Sequence, residues 1–197
     1  MESFGKPKTH DAKPTMVDRW ILGRLNSTII EVTDAMEGFE YHQAIKKLQD
    51  FFWHDFCDNY IEYVKHRIYN EGPTKDAAIY ALNRVMMDSV KLLSPITPHL
   101  SEEIYKEMFG RKESVHKAIW PDAGDEYTTE VEKVIVLNEV VSLLRQHKAK
   151  NKMAQNAELE EARISTPEAM DQELISELAK ISKIKKIEQM NGELSVT

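Results

Sequence analysis

A mainly α fold, a helical bundle followed by a small α+β appendage at the C-terminus, is predicted by three observations. Apolar residues recur at helical spacing over long stretches. Only 7 Gly and 7 Pro in 197 residues leave those stretches uninterrupted. Near the C-terminus the pattern changes to two β-like runs around a short helical one. A hydrophobic fraction of 42% suits one globular domain with a small addition. The expected division is a linker remnant over 1–14, a helical bundle over 15–125, and a C-terminal helix with a β-α-β appendage over 126–197.

The lead-in from Met1 to Pro14 is polar, carries Gly5, Pro7 and Pro14, and lacks the apolar centre of a signal peptide. Thr15 and Asp18 stand at capping-box spacing and predict the first helix start. Val17, Ile21, Leu25, Val32 and Met36 form its stripe, broadened by Trp20 and Ile29, and Gly38 is expected to end it. A second helix is predicted over Tyr41 to Tyr69. One stripe is Ile45, Leu48, Phe52, Phe56 and Tyr63; another is Trp53, Cys57, Val64 and Ile68. So wide an apolar surface predicts the central helix of a bundle, with Trp20, Trp53, Phe56 and Tyr60 in the core.

Asn70 to Pro73 form a turn. The third helix, over Thr74 to Leu93, is expected to face Ala78, Ala81, Leu82, Val85, Met86 and Leu93 inward. Ser94-Pro95-Ile96-Thr97-Pro98 is a break, with Thr97 placed as N-cap and Pro98 at the first helical position. The fourth helix ends at Gly110. An irregular crossing over Arg111 to Asp125 leads to a fifth helix over Thr128 to Lys150, with Val131, Val134, Ile135, Val141 and Leu144 inward. Glu158 to Ser165 and Lys183 to Met190 are read as strands, and Pro167 to Ile181 as the helix between them.

Several chemistries are not indicated. The seven histidines are scattered, and none forms the one-turn pair of a helical zinc site. Cys57 is the only cysteine; it excludes an internal disulfide, fits a reducing cytosol, and is read as a buried thiol. The pairs Glu102-Glu103 and Glu160-Glu161 read as solvated surface. No glycine-rich phosphate loop or nucleophile elbow occurs. The apolar runs are too short to span a bilayer, so no membrane partner is expected. A net charge of -7, from 33 acidic and 26 basic residues, argues against a generic nucleic-acid binder but does not forbid a local basic face on an acidic body.

Two basic clusters stand out. Lys65, His66, Arg67 and Tyr69 close the central helix, followed by Asn70 and Lys75. The simpler reading is a cation cluster at a helix C-terminus; the sharper one is a site for a splayed RNA loop, with cations for phosphate, a ring for stacking and an amide for base edges. Arg145, His147, Lys148, Lys150 and Lys152 lie in a stretch with no acid between Val141 and Ala157. That segregation suits an RNA backbone, and equally a solvated helix end.

Ordered motifs separate these readings. Phe52-Trp53-His54-Asp55-Phe56-Cys57-Asp58-Asn59-Tyr60-Ile61-Glu62, followed by Lys65, resembles the central-helix signature of valyl-tRNA synthetases, with Asn59 where the family usually has Trp. Leu93 to Ile104 resembles the Pro-x-x-Pro, Glu-Glu break of the same anticodon-binding domain. Ser114-Val115-His116 with Trp120-Pro121 resembles the segment closing it, and Asp18 to Leu22 its opening. The chain is thus similar to the anticodon-binding helical bundle of class I aminoacyl-tRNA synthetases, with a C-terminal extension like that of archaeal-type relatives. The family's His-Ile-Gly-His and Lys-Met-Ser-Lys-Ser elements are not present. The resemblance implies a fragment, inactive alone, of a cytoplasmic valine-tRNA ligase whose ATP-using catalytic domain lies elsewhere. No cofactor is expected in this piece; its partners would be valine tRNA and the catalytic domain. Lys65, Arg67, Tyr69, Asn70 and Lys75 would meet the anticodon loop, and Arg145, Lys148, Lys150 and Lys152 the stem or inner corner. The same domain of an isoleucyl or leucyl enzyme, or a non-catalytic helical protein-interaction module, are the alternatives.

Overall fold

Asp18 accepts hydrogen bonds from the Thr15 backbone N–H at 2.8 Å and the Thr15 hydroxyl at 3.0 Å, so the first helix opens at the predicted capping pair. The computed structural model describes residues 13–110, 112–124, 130–167 and 169–196. Of the expected linker, only Lys13 and Pro14 fall within them. The chain separates into two compact units, Met1–Thr128 and Thr129–Thr197.

In the first unit, α1 (Met16–Glu37) buries Val17, Trp20, Ile21, Leu25, Ile29 and Val32. It ends at Glu37 with Gly38 as its C-cap, as expected, though the left-handed conformation falls on the next residue, Phe39 (φ 60°), and not on Gly38. The central helix is continuous but not uniform. The segments α2 (Tyr41–Asp50) and α3 (Ile61–Tyr69) flank a π-helical stretch, Phe51–Tyr60. There the Ile61 N–H reaches back five residues to Phe56 O. A π ladder takes more residues per turn than an α ladder, so a stripe drawn at 3.6 drifts off its face. The buried positions are Phe51, Phe56 and Tyr60, at spacings of five and four.

This drift corrects one core assignment. Trp53 is 59% exposed, whereas Trp20, Phe56 and Tyr60 are buried as expected. Ile45 is also exposed, and Phe52, Cys57 and Ile68 are half-buried. Burial and the neighbouring Asp58 carboxylate push the Cys57 thiol up.

Helix α4 (Lys75–Leu93) packs on α1 and buries Ala77, Ala78, Ala81 and Val85; Leu82, Met86 and Leu93 are only half-buried. Helix α5 (Pro98–Phe109) starts at Pro98, without a side-chain cap from Thr97, and ends at Gly110 in the left-handed conformation (φ 58°). Val90, Tyr105 and Val115 make a satellite core under the crossing segment. Glu102 holds that segment rather than standing in solvent: it accepts from Ser114 Oγ and the Val115 N–H, both at 2.9 Å, and pairs with Lys106 at 2.7 Å. Trp120 Nε1 then donates to Thr33 Oγ1 at 2.9 Å, returning the crossing to α1.

The second unit contains α6 (Glu130–Lys150), β1 (Leu159–Thr166), α7 (Gln172–Ser182), β2 (Ile184–Asn191) and β3 (Ser195–Val196). Strand order is β2-β1-β3, with β1 parallel to β2 and antiparallel to β3, the last strand being unexpected. The β-α-β unit is as predicted. Asp171 caps α7 by accepting from the Leu174 N–H at 3.0 Å, and Lys183 ends it at φ 55°. Val134, Leu137, Val140, Val141 and Leu144 are the buried side of α6; Ile135, expected inward, is 48% exposed. The Val131 side chain lies outside the described residues.

Candidate nucleic-acid interface

The end of the central helix has two faces of opposite character. Arg67, expected to meet phosphate, is turned into the core. Its guanidinium donates to Asp18 Oδ1 at 2.9 Å and Oδ2 at 2.7 Å, to Thr15 Oγ1 at 3.1 Å and to Thr74 Oγ1 at 3.1 Å. Tyr60 adds its hydroxyl to Asp18 Oδ1 at 2.6 Å. Burial, the Asp18 charge and that hydrogen bond drive the Tyr60 phenol well above its ordinary range. A charge taken out of water must be paired. In the first cluster the buried cation is Arg67, so it ties α3 to the start of α1 and is not offered to a ligand.

The opposite face presents Lys65 and Tyr69, one helical turn apart. Tyr69 is 82% exposed, an unusual state for an aromatic ring with a whole helix bundle beside it. Lys65 is exposed and paired with Glu62 one turn earlier. Asn70 caps the helix end by donating from Nδ2 to His66 O at 2.7 Å. Lys75 pairs with Glu71 at 2.5 Å across the turn. Such surface pairs contribute about 0–1 kcal/mol.

Lys65 and Tyr69 also border a cleft of about 260 Å³ between α3, α4 and α5. Leu82, Asn83 and Met86 from α4 and Met108 from α5 complete its wall. The sequence placed Leu82 and Met86 in the core and did not single out Asn83 or Met108. Helical spacing shows that Leu82 and Met86 share a face with one another. It does not show that the face is left partly uncovered.

The second basic cluster divides as well. Lys148 is buried, and its ammonium donates to Ala157 O and Ser182 O at 2.9 Å and to Gln155 O at 3.2 Å. Desolvation, aided by the Lys183 charge, lowers its pKa. It cannot serve a stem phosphate from there; it fastens the end of α6 to the end of α7. Arg145 is half-buried, with its carbonyl accepting from Gln155 Nε2 at 3.2 Å. Lys150 and Lys152 are exposed, Lys152 in a turn at φ 55°.

The profile of a family described as the anticodon-binding domain of tRNA ligase matches residues 18–164, which includes the capping Asp18, the whole central helix and the cleft. The chain belongs to that family. Its relatives include a valine–tRNA ligase of Pyrococcus abyssi, 35% identical over 201 residues, covering 98% of this chain and 23% of that protein. A valine–tRNA ligase of Methanothermobacter thermautotrophicus is 37% identical over 160 residues, 79% of this chain and 18% of that protein. One of Methanococcus maripaludis is 35% identical over 196 residues, 91% and 21% of the two chains. This anticodon-binding domain therefore spans about a fifth of the length of the relatives it matches. Among its described residues no helix is long and apolar enough to cross a membrane.

Proposed function

We propose that this chain is the anticodon-reading part of a valine–tRNA ligase and holds the anticodon stem-loop of valine tRNA during cytoplasmic translation. The observation that carries the reading is the α3 face where an exposed ring and an exposed cation, Tyr69 and Lys65, stand together at the rim of a cleft. RNA loops are recognised by this combination: cations take the phosphates, and an aromatic platform takes an unstacked base. Asn70 and Lys75 extend the surface at the following turn. Lys150 and Lys152, with Arg145, are the candidates for a second contact on the C-terminal unit. Arg67 and Lys148 are excluded from the contact set by their burial. ATP-dependent attachment of valine would be the work of the remainder of such a ligase; this piece supplies discrimination and grip.

The test is a titration of the chain against valine tRNA and against the same tRNA with its anticodon replaced, at low and moderate salt. Preference for the native anticodon is the expected result. Equal binding of both would leave an RNA-binding domain and return the choice among valine, isoleucine and leucine enzymes to open. Absence of binding by the folded chain would favour a protein-interaction module.

A further inference from the structure

The first half of the central helix carries an apolar surface separate from Lys65 and Tyr69. Ile45 and Trp53 line an open groove of about 590 Å³ together with His42, Lys46, Gln49 and Asp50. Every residue lining it belongs to α2 or to the π-helical stretch. Tyr41 stands one turn before Ile45, and Phe39 meets Tyr41 edge-on with ring centroids 6.3 Å apart. All four of these large apolar side chains are exposed. Single exposed apolar residues are ordinary; four gathered along one element, rimmed by polar groups, mark an interaction surface.

Two backbone features hold these rings outward. Phe39 is in the left-handed conformation (φ 60°), which strains a bulky side chain as it would not a glycine. The π-helical stretch, a geometry that concentrates at functional positions, turns Trp53 out of the core. Asn59 secures that stretch by donating from Nδ2 to His54 O at 3.0 Å. The charges suit a protein partner and not a polyanion. Lys47 is taken by Glu31 at 2.9 Å, His54 faces Asp58 at 3.3 Å, and Asp50 in the groove would repel a phosphate. Among the described residues Lys46 and Asp50 make no ion pair, so the groove offers one cation and one acid to groups of opposite sign.

We propose that this face docks against the part of the ligase lying outside this domain, a protein surface with apolar side chains for Trp53 and Ile45, a carboxylate for Lys46 and a donor for Asp50. The chain covers only 18%, 23% and 21% of three relatives, so most of such a ligase is tethered to the domain. A neighbour on a short tether is present at an effective concentration of roughly millimolar, which favours it over a second, free copy of the chain. The inference rests on the ligase reading above and adds to it the face by which the domain is held.

Hydroxyl-radical oxidation resolved by peptide mass tests this without any substitution. Buried Trp20 sets the floor of reactivity and exposed Tyr69 the ceiling. In the isolated 197-residue chain, Trp53 and Tyr41 should oxidise readily at every concentration. In the intact ligase of which that reading makes the chain a part, and with no tRNA present, Trp53 should fall to the level of Trp20 while Tyr69 stays reactive. Equal reactivity of Trp53 in both proteins would overturn the proposal. So would protection in the isolated chain, whether constant (its own second unit covers the face) or rising with concentration (a second copy does), and so would protection of Trp53 in the ligase only once tRNA is added. Charging assays on the same ligase are read separately: failure to charge valine tRNA would sink the valine reading, while protection of Trp53 without tRNA would still establish the docking face.

Discussion

Arg67, in the last turn of α3, holds Asp18, in the first turn of α1, through two parallel charge-assisted hydrogen bonds of 2.9 and 2.7 Å. The side chains are 5% and 0% exposed. Forty-nine residues separate them in sequence, so the contact closes the bundle end to end. A buried pair of this kind need not add net stability over an apolar one, but removing one partner strands the other without water.

Arg67→Ala should therefore cost about 3–5 kcal/mol, the range for breaking a buried pair. Arg67→Lys should recover little, because one ammonium cannot reproduce the two-pronged fork. Urea unfolding followed by circular dichroism measures both. A loss below about 1 kcal/mol would show that Asp18 finds another partner or water.

Lys65→Ala should behave oppositely. Stability should change by no more than about 0.5 kcal/mol, as at most surface positions. Binding of valine tRNA should weaken, and the slope of log affinity against log salt should fall by about one. A slope equal to that of the parent chain would take Lys65 off the RNA face.

The two tryptophans at either end of the burial scale give an internal control. Trp20, 1% exposed, should cost about 3–5 kcal/mol on replacement by Ala. Trp53→Ala should cost less than about 1 kcal/mol, since its ring is mostly in solvent. Comparable losses in thermal or urea unfolding would contradict the outward setting of Trp53 by the π-helical stretch.

Lys148→Met removes an ammonium that serves three carbonyls and retains the apolar stem. Each orphaned carbonyl that water cannot reach costs about 1–3 kcal/mol. Hydrogen exchange should accelerate across α7 and β1 in the second unit, while Lys148 adds nothing to the salt slope of RNA binding. Unchanged protection would mean that water takes over the three acceptors.

Glu102 supplies a pH signature. Hydrogen bonds from Lys106, the Val115 N–H and Ser114 pull its carboxyl down to about 2. Its folded value is below the unfolded one, so its contribution is complete above the ordinary carboxylate range of about 4.3. It is lost as pH falls from there through about 2. Glu102→Gln should lower the melting temperature of the first unit near neutral pH, with the difference from the parent chain vanishing by about pH 2. A difference that is flat across that window would show that Glu102 acts by shape alone.

Much of this architecture is legible in the chain itself. Periodicity marks the helices, Thr15 with Asp18 marks the first start, Gly110 marks the end of α5, and the β-like runs mark the appendage. These features are local: each depends on backbone geometry and neighbours within a turn or two. The candidate site is legible in part for the same reason. Lys65 and Tyr69 are on one face because they are one turn apart, whatever lies around them.

Which members of each basic cluster face outward is not a local property. Arg67 looks like its neighbours until Asp18 arrives from α1, and Lys148 until the loop after α6 and the end of α7 bring three carbonyls to it. Trp53 and Ile135 satisfy an apolar pattern, yet they are 59% and 48% exposed. The sequence by itself determined the order of the helices and of the β-α-β unit, the capping of the first helix and the family to which the chain belongs. Only the tertiary structure decided which cations are spent on pairing, and that α3, α4 and α5 leave a cleft beside Tyr69. Burial and charge pairing are relations between distant segments, and spacing along one segment carries no information about them.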